Sequence, residues 1–242
     1  MELKVSVNPY RSENDNILGF ANVTIDDSFA LENVRIRQGR NYKYIELPKY
    51  PTAQRDENGK PVLKDGKQVY DYKDVFHPIT AEVNKALNDA ILKEYAETIE
   101  NGKGEHRLGI FKLDDTFELS RVNATPYEKN NLVGLGSASF GKSFALERIS
   151  IKEGENGLYL DLPKYRTIKR DEQGVPELDA NGNNRYEYRD CFHPITAEAY
   201  NMLRDAVINK LEEKRGKSAG AQNTQQADEQ IIYAPPVDNG RK

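Results

Sequence analysis

Two long stretches of this chain are near-copies of one another. Ser28 to Tyr50, SFALENVRIRQGRNYKYIELPKY, lines up without a gap on Ser143 to Tyr165, SFALERISIKEGENGLYLDLPKY. The offset is 115 residues from Phe29 to Phe144 and 116 from His77 to His193, so the loop between gained one residue. Upstream, Pro9-Tyr10 answers Pro126-Tyr127; downstream, TAEVNKALNDAILKEY answers TAEAYNMLRDAVINKL. The period is far too long for a solenoid repeat, so each copy is a domain in its own right. The boundaries read from the sequence are residues 1–102 for copy one, 103–216 for copy two, and a polar tail over 217–242.

Each copy carries the same succession of signals. Leu3, Val5 and Val7 alternate like a first strand, with Phe117, Leu119 and Val122 as the looser counterpart. Ile17 to Ile25 predicts a second strand, turning at Asp26-Asp27-Ser28. A third follows, in which Ala30, Val34 and Ile36 are expected on one face and Asn33, Arg35 and Arg37 on the other. Short strands at Tyr44–Leu47 and Tyr159–Leu162 each run into a proline, Pro48 or Pro163, which cannot donate to a ladder. Asn58-Gly59, Asp65-Gly66 and Asn181-Gly182 are turn chemistry inside polar stretches, and predict an exposed β-ribbon in each copy. A helix comes last. Thr80 and Thr196 are its caps, and Val83, Leu87, Ile91 and Tyr95, or Leu203, Val207 and Leu211, recur at helical spacing. Gly102 and Gly216 are placed to end the helices. The predicted class is therefore α+β: two repeats, each an antiparallel sheet with a ribbon and one C-terminal helix, packed as an intramolecular pseudo-dimer.

Between ribbon and helix stands an unusual heptapeptide, DVFHPIT at 74–80 and DCFHPIT at 190–196. Proline biases the histidine before it toward an extended backbone, and threonine then starts the helix. His77-Pro78 and His193-Pro194 are thus read as structural corners, their rings bonded to nearby backbone or to the aspartate just upstream. Neither copy keeps a nucleophile or second acid beside the histidine. Cys191 is matched by Val75 and behaves as a small hydrophobe, and one Cys-x-His pair is no zinc site. No phosphate-cradling glycine loop and no nucleophile elbow occurs, so no catalytic residue, metal or cofactor is expected. A lone cysteine, no apolar run near the length a bilayer needs, and a charged N-terminus read as a cytoplasmic protein with no membrane association.

FALENVRIRQGRN, NGLYLDLPK and YKDVFHPIT or YRDCFHPIT, in that order, resemble the SpoVG family of bacterial septation and sporulation regulators. Family members read F-V-V-x-x-I-R-V-x-x-G, then N-G-L-[FY]-V-x-M-P, then [FY]-R-D-I-A-H-P-I and a final helix. Copy two keeps Asn156-Gly157-Leu158-Tyr159 where copy one has Asn41-Tyr42-Lys43-Tyr44; copy one keeps Arg35 where copy two has Ser150. Phe76 and Phe192 replace the family's usual alanine before His-Pro. The resemblance implies a dimer of sheet-and-helix domains that binds DNA or RNA. A fused tandem would supply both halves in one chain, as a monomeric pseudo-dimer or a further homo-oligomer.

The net charge of −4 argues against a uniformly basic, phosphate-binding surface. A local one is open. Arg35, Arg37, Lys43 and Lys49 gather around the third and fourth strands of copy one, and Arg166, Lys169, Arg170 and Arg189 line the ribbon of copy two. Tyr44 and Tyr159 stand among them as stacking groups. Acidic residues are interspersed, as on any half-solvated sheet. The alternative is therefore a protein-interaction module on the same scaffold, meeting a partner through the ribbons or through the apolar island Ile231–Val237 in the tail. A surface-charge map separates the two: one contiguous basic face favours nucleic acid, mixed signs favour protein.

Overall fold

A computed structural model describes residues 1–10, 16–100, 108–173 and 175–219, with side chains as far as Gly216. In copy one the elements are β1 (Glu2–Pro9), β2 (Ile17–Ile25), β3 (Phe29–Gln38), β4 (Lys43–Glu46), β5 (Lys49–Ala53), β6 (Leu63–Lys64), β7 (Lys67–Gln68), β8 (Tyr70–Asp74), β9 (Phe76–Pro78) and α1 (Ala81–Glu100). Then come β10 (Gly109–Lys112), β11 (Leu119–Lys129), β12 (Leu132–Phe140), β13 (Phe144–Gly154), β14 (Gly157–Asp161), β15 (Lys164–Ile168), β16 (Tyr186–Asp190), β17 (Phe192–Pro194) and α2 (Ala197–Ala219). The expected α+β tandem is the observed one. Thr80 and Thr196 cap the helices as the sequence indicates, their hydroxyls accepting from the backbone N–H of Val83 and Ala199 at 3.2 and 3.1 Å. None of the described helices is long and apolar enough to cross a membrane.

The two halves exchange strands. One antiparallel sheet runs β10-β1-β2-β3-β17 with β4 also on β3, and the other β11-β12-β13-β14 with β9 on β13. The Phe-His-Pro strand of copy one pairs with Phe144–Leu146 of copy two, and that of copy two with Phe29–Leu31 of copy one. This is what the repeated heptapeptide builds: each copy closes the other's sheet. Phe76 and Phe192 meet face to face, ring centroids 4.4 Å apart, and Phe29, Phe140 and Phe144 stack or tilt around them. All five are at most 1% exposed. Phe117 is not part of a strand; it joins this cluster against Phe140 at 4.3 Å. Burying one such ring is worth about 1.5–3 kcal/mol and each ring pair about 0.5–1.5 kcal/mol more, so the seam is core rather than contact surface.

Three expectations are corrected. In β3 it is Phe29 and Leu31 that join Val34 and Ile36 in the core, while Ala30 lies on the opposite face. The cause is a bulge: Asn22 faces both Glu32 and Asn33, Asn33 takes φ +60°, and the face parity flips. Copy two repeats it with Arg148 at φ +61°. Gly216 does not end its helix, which continues to Ala219, so the boundary drawn after residue 216 falls inside α2. β10, though assigned by position to copy two, pairs with β1 of copy one. Gly102 and the apolar island Ile231–Val237 lie outside the described residues.

Helix α1 packs across β1, β4 and β10, and α2 across β11, β12 and β17. The close approach of α2 explains two strand glycines. A Cβ on Gly134 would meet Leu211 at 2.8 Å, and one on Gly136 would meet Val207 at 3.1 Å. Cys191 sits in the same core at 2% exposure, matching Val75, and burial pushes its thiol up to about 12. Thiolate chemistry is therefore shut off while the fold is intact. Ellman's reagent should leave Cys191 unmodified in buffer and titrate one thiol in denaturant; rapid modification of the native protein would contradict this burial.

Candidate nucleic-acid interface

The face of copy one's sheet away from α1 is set by strand register. Arg35 lies opposite Glu46 and Arg37 opposite Tyr44 in the β3–β4 pair, so all four side chains share that face. Glu46 is the hub. Arg37 donates to it at 2.6 Å, Arg35 lies at 3.6 Å and Lys49 at 3.9 Å. One carboxylate thus holds three cations in place, with Arg35 and Lys49 still about two-fifths exposed. Arg40 and Lys43 stand exposed at the β3–β4 turn, and Tyr44 leans on Tyr42, centroids 5.8 Å apart. The sequence named this cluster and the fold assembles it. Asp74 lies opposite Lys49 in the β5–β8 pair, and burial holds its carboxyl above the usual range.

The matching face of copy two has the same frame with one cation fewer and an acidic turn. Asp161 stands in for Glu46 and is bound by Lys152 at 2.6 Å and by Lys164. Burial pushes Asp161 up, but the bonds from Lys152 and Lys164 outweigh it and hold the carboxyl below its ordinary value. Lys164 also reaches Asp190 at 3.3 Å. Ser150 replaces Arg35, and Glu153 and Glu155 flank the turn where copy one has Gln38 and Arg40. Tyr159 is partly exposed there, opposite Lys152, whose ammonium is taken by Asp161.

The ribbon cations of copy two are built into the ribbon. Lys169 and Arg185 share Glu177 at 2.8 and 3.1 Å, and Arg189 pairs with Glu187 at 2.6 Å. Arg166 lies over the Tyr186 ring at 3.5 Å, and Arg170 bridges to Pro176 near the ribbon tip. These four candidates are therefore not brought together with the Arg35 cluster around Glu46. Two of the four, Lys169 and Arg189, are balanced by a carboxylate, Glu177 and Glu187 respectively.

The histidines sit at the seam, and their acidic partners are not the upstream aspartates. Each Nδ1 lies 3.2 Å from its own Pro78 or Pro194 carbonyl. Nε2 of His193 meets Glu32 at 3.3 Å, and His77 approaches Glu147 at 3.9 Å. Each pair joins one copy to the other. The residues missed by sequence reasoning are these two glutamates, both within the aligned SFALE segment. Glu32 also accepts from the Tyr165 hydroxyl at 3.1 Å; burial, then Glu32, pushes that phenol up to about 12. The bond to Glu147 raises the pKa of His77. A proton held more tightly by the folded state adds stability that is full below the unfolded pKa and fades as pH rises through the folded one. The urea midpoint should therefore fall between about pH 6 and pH 8, and His77→Gln should flatten that slope; an unchanged slope would show that the pair carries no linkage. Among the described residues no group of His, Cys, Asp or Glu is arranged to hold a metal ion.

Comparison with known proteins decides the family. The SpoVG family profile matches twice, over residues 1–97 and 117–213. The chain belongs to the SpoVG family. Individual SpoVG proteins, named for septation, are similar to one repeat at a time. That of Treponema denticola is 32% identical over 87 residues, covering 36% of this chain and 77% of that protein. That of Finegoldia magna is 30% identical over 105 residues, covering 43% of this chain and 82% of that protein. For Acholeplasma laidlawii the figures are 26% over 89 residues, 37% and 79%. Each matched stretch is about one repeat long, so this chain holds two SpoVG domains where the relatives align one.

Proposed function

We propose that this tandem SpoVG protein is a non-enzymatic regulator of gene expression that binds DNA or RNA through the basic face of copy one. The observation that carries the reading is the divergence of charge on two hairpins of equivalent register. Copy one presents Arg35, Arg37 and Lys49 around Glu46, with Asp74 opposite Lys49 and with Arg40 and Lys43 at the adjoining turn; copy two presents Lys152 and Lys164 around Asp161, with Asp190 beside Lys164 and with Glu153 and Glu155 at the turn. A protein of net charge −4 can hold phosphates only through such a local surplus. Pinning by Glu46 pre-orients the guanidinium groups, which lowers the ordering cost of contact.

The test is fluorescence anisotropy of the purified chain with single- and double-stranded DNA and RNA across a salt series. Binding should weaken log-linearly with salt, with a slope near −0.9 per neutralised phosphate on duplex DNA. Absence of binding even at about 50 mM salt, where phosphate contacts are strong, would sink the reading. The balanced Lys169–Glu177–Arg185 and Arg189–Glu187 ribbon favours a protein partner for that part of the surface, and in that outcome a protein-interaction module becomes the leading alternative.

A further inference from the structure

A cleft of about 380 Å³ lies between the ribbon of copy one and the outer face of copy two's sheet. Its ribbon wall carries Tyr50, Thr52, Arg55 and Lys73; its floor is Leu135, with Arg148 at one side. Arg148 is anchored there, over the Tyr50 ring at 4.9 Å and donating to the Pro51 carbonyl at 3.3 Å. The one carboxylate lining the cleft, Glu147, faces His77. Among the described residues exposed Lys73 has no ion pair and Arg55 donates only to the Gly59 carbonyl at 2.7 Å, so neither charge is balanced by a carboxylate there.

We infer that this cleft holds one phosphate-bearing nucleotide of a single strand, resting on the nucleic-acid reading above but at a separate site. Arg55 and Lys73 against one engaged carboxylate select a phosphate, Arg148 is held beside them by Tyr50 and Pro51, and the Asn123, Thr125 and Ser137 side chains offer hydrogen bonds to a sugar or base edge. The volume is near the lower end of the roughly 300–1,000 Å³ of ligand sites, so it admits one unpaired nucleotide and excludes a duplex. Copy one lacks the site by its own residues. Asn33 replaces Arg148, and Phe20 replaces Leu135 and packs on Tyr10 at 5.7 Å.

The substitutions that test this borrow copy one's residues. Arg148→Asn removes the anchored cation at a left-handed position where asparagine is better tolerated than arginine, and Leu135→Phe fills the floor. Lys73→Ser removes the unpaired cation. Anisotropy with a labelled oligothymidylate, an oligouridylate and a duplex of matching length is read alongside a thermal melt. The expected result is at least a tenfold loss of single-strand affinity in Arg148→Asn with Lys73→Ser, and again in Leu135→Phe, with duplex affinity unchanged. Wild-type single-strand binding that these variants leave intact overturns the cleft while leaving the basic-face reading standing. If the wild type binds no nucleic acid, the basic-face reading fails, and titration with uridine monophosphate followed by NMR decides the cleft alone. Shifts at Arg148 and Leu135 that vanish in Arg148→Asn then support a free-nucleotide site, and no shifts overturn it.

Discussion

Phe76→Ala should lower the unfolding free energy by about 3–5 kcal/mol, the upper range for emptying a buried aromatic site. Phe192→Ala should cost about the same, because the two rings occupy equivalent places across the seam, 4.4 Å apart. Their sum should exceed the loss in the double variant. Once one ring is gone its partner has already forfeited a stacked neighbour, and residues in direct contact couple rather than add. Urea unfolding followed by circular dichroism measures all three. Alanine at these positions is the residue that SpoVG relatives are expected to carry, yet here it opens a void at the point where both copies' strands meet. A loss below about 0.5 kcal/mol, the level of a surface substitution, would mean that the exchanged strands do not carry the joint between the copies.

Exchanging the charge of the two outer faces should move nucleic-acid affinity with it. Arg35→Ser with Arg40→Glu gives copy one the residues of copy two. Glu46 keeps Arg37 at 2.6 Å, so the sheet is not left with an unpaired carboxylate and the fold should stand. Duplex affinity should drop at least tenfold at about 100 mM salt, and the salt slope should become shallower by roughly two phosphate equivalents. The converse, Ser150→Arg with Glu155→Arg, places a guanidinium beside Asp161 and should raise affinity. Electrophoretic mobility shifts across a salt series read both. Equal binding by wild type and the first variant would remove copy one's face from the interface and favour the protein-interaction reading.

The contrast between the two ribbons and the basic face shows how far residue patterns reach. Arg35 and Arg37 are legible as a pair because they lie two apart on one strand, opposite Glu46 and Tyr44 of the next, and Lys49 follows Glu46 by only three residues. Arg166, Lys169, Arg170 and Arg189 were equally legible as basic residues. Glu187 stands two residues before Arg189 on the same strand, but Glu177 reaches Lys169 only through ribbon pairing, across a turn whose length the sequence leaves free. Ala30 was placed on the wrong face for a related reason. A bulge at Asn33 shifts parity by one, and nothing in an alternating pattern marks where an extra residue is absorbed.

The sequence alone determined what depends on neighbours along the chain: the duplication, the strand and helix succession, the threonine caps, the turn glycines and the buried helix stripes. These follow from backbone sterics and from periodicity, which act over a few residues. Only the tertiary structure decided which copy each Phe-His-Pro strand would complete. Phe29-Ala30-Leu31 and Phe144-Ala145-Leu146 are the same tripeptide, and ladder hydrogen bonds between backbones do not distinguish one from the other. The choice falls to chain reach and to the aromatic core that forms when both strands cross. That crossing also sets Glu32 beside His193 and Tyr165, and shapes the cleft between one copy's ribbon and the other's sheet.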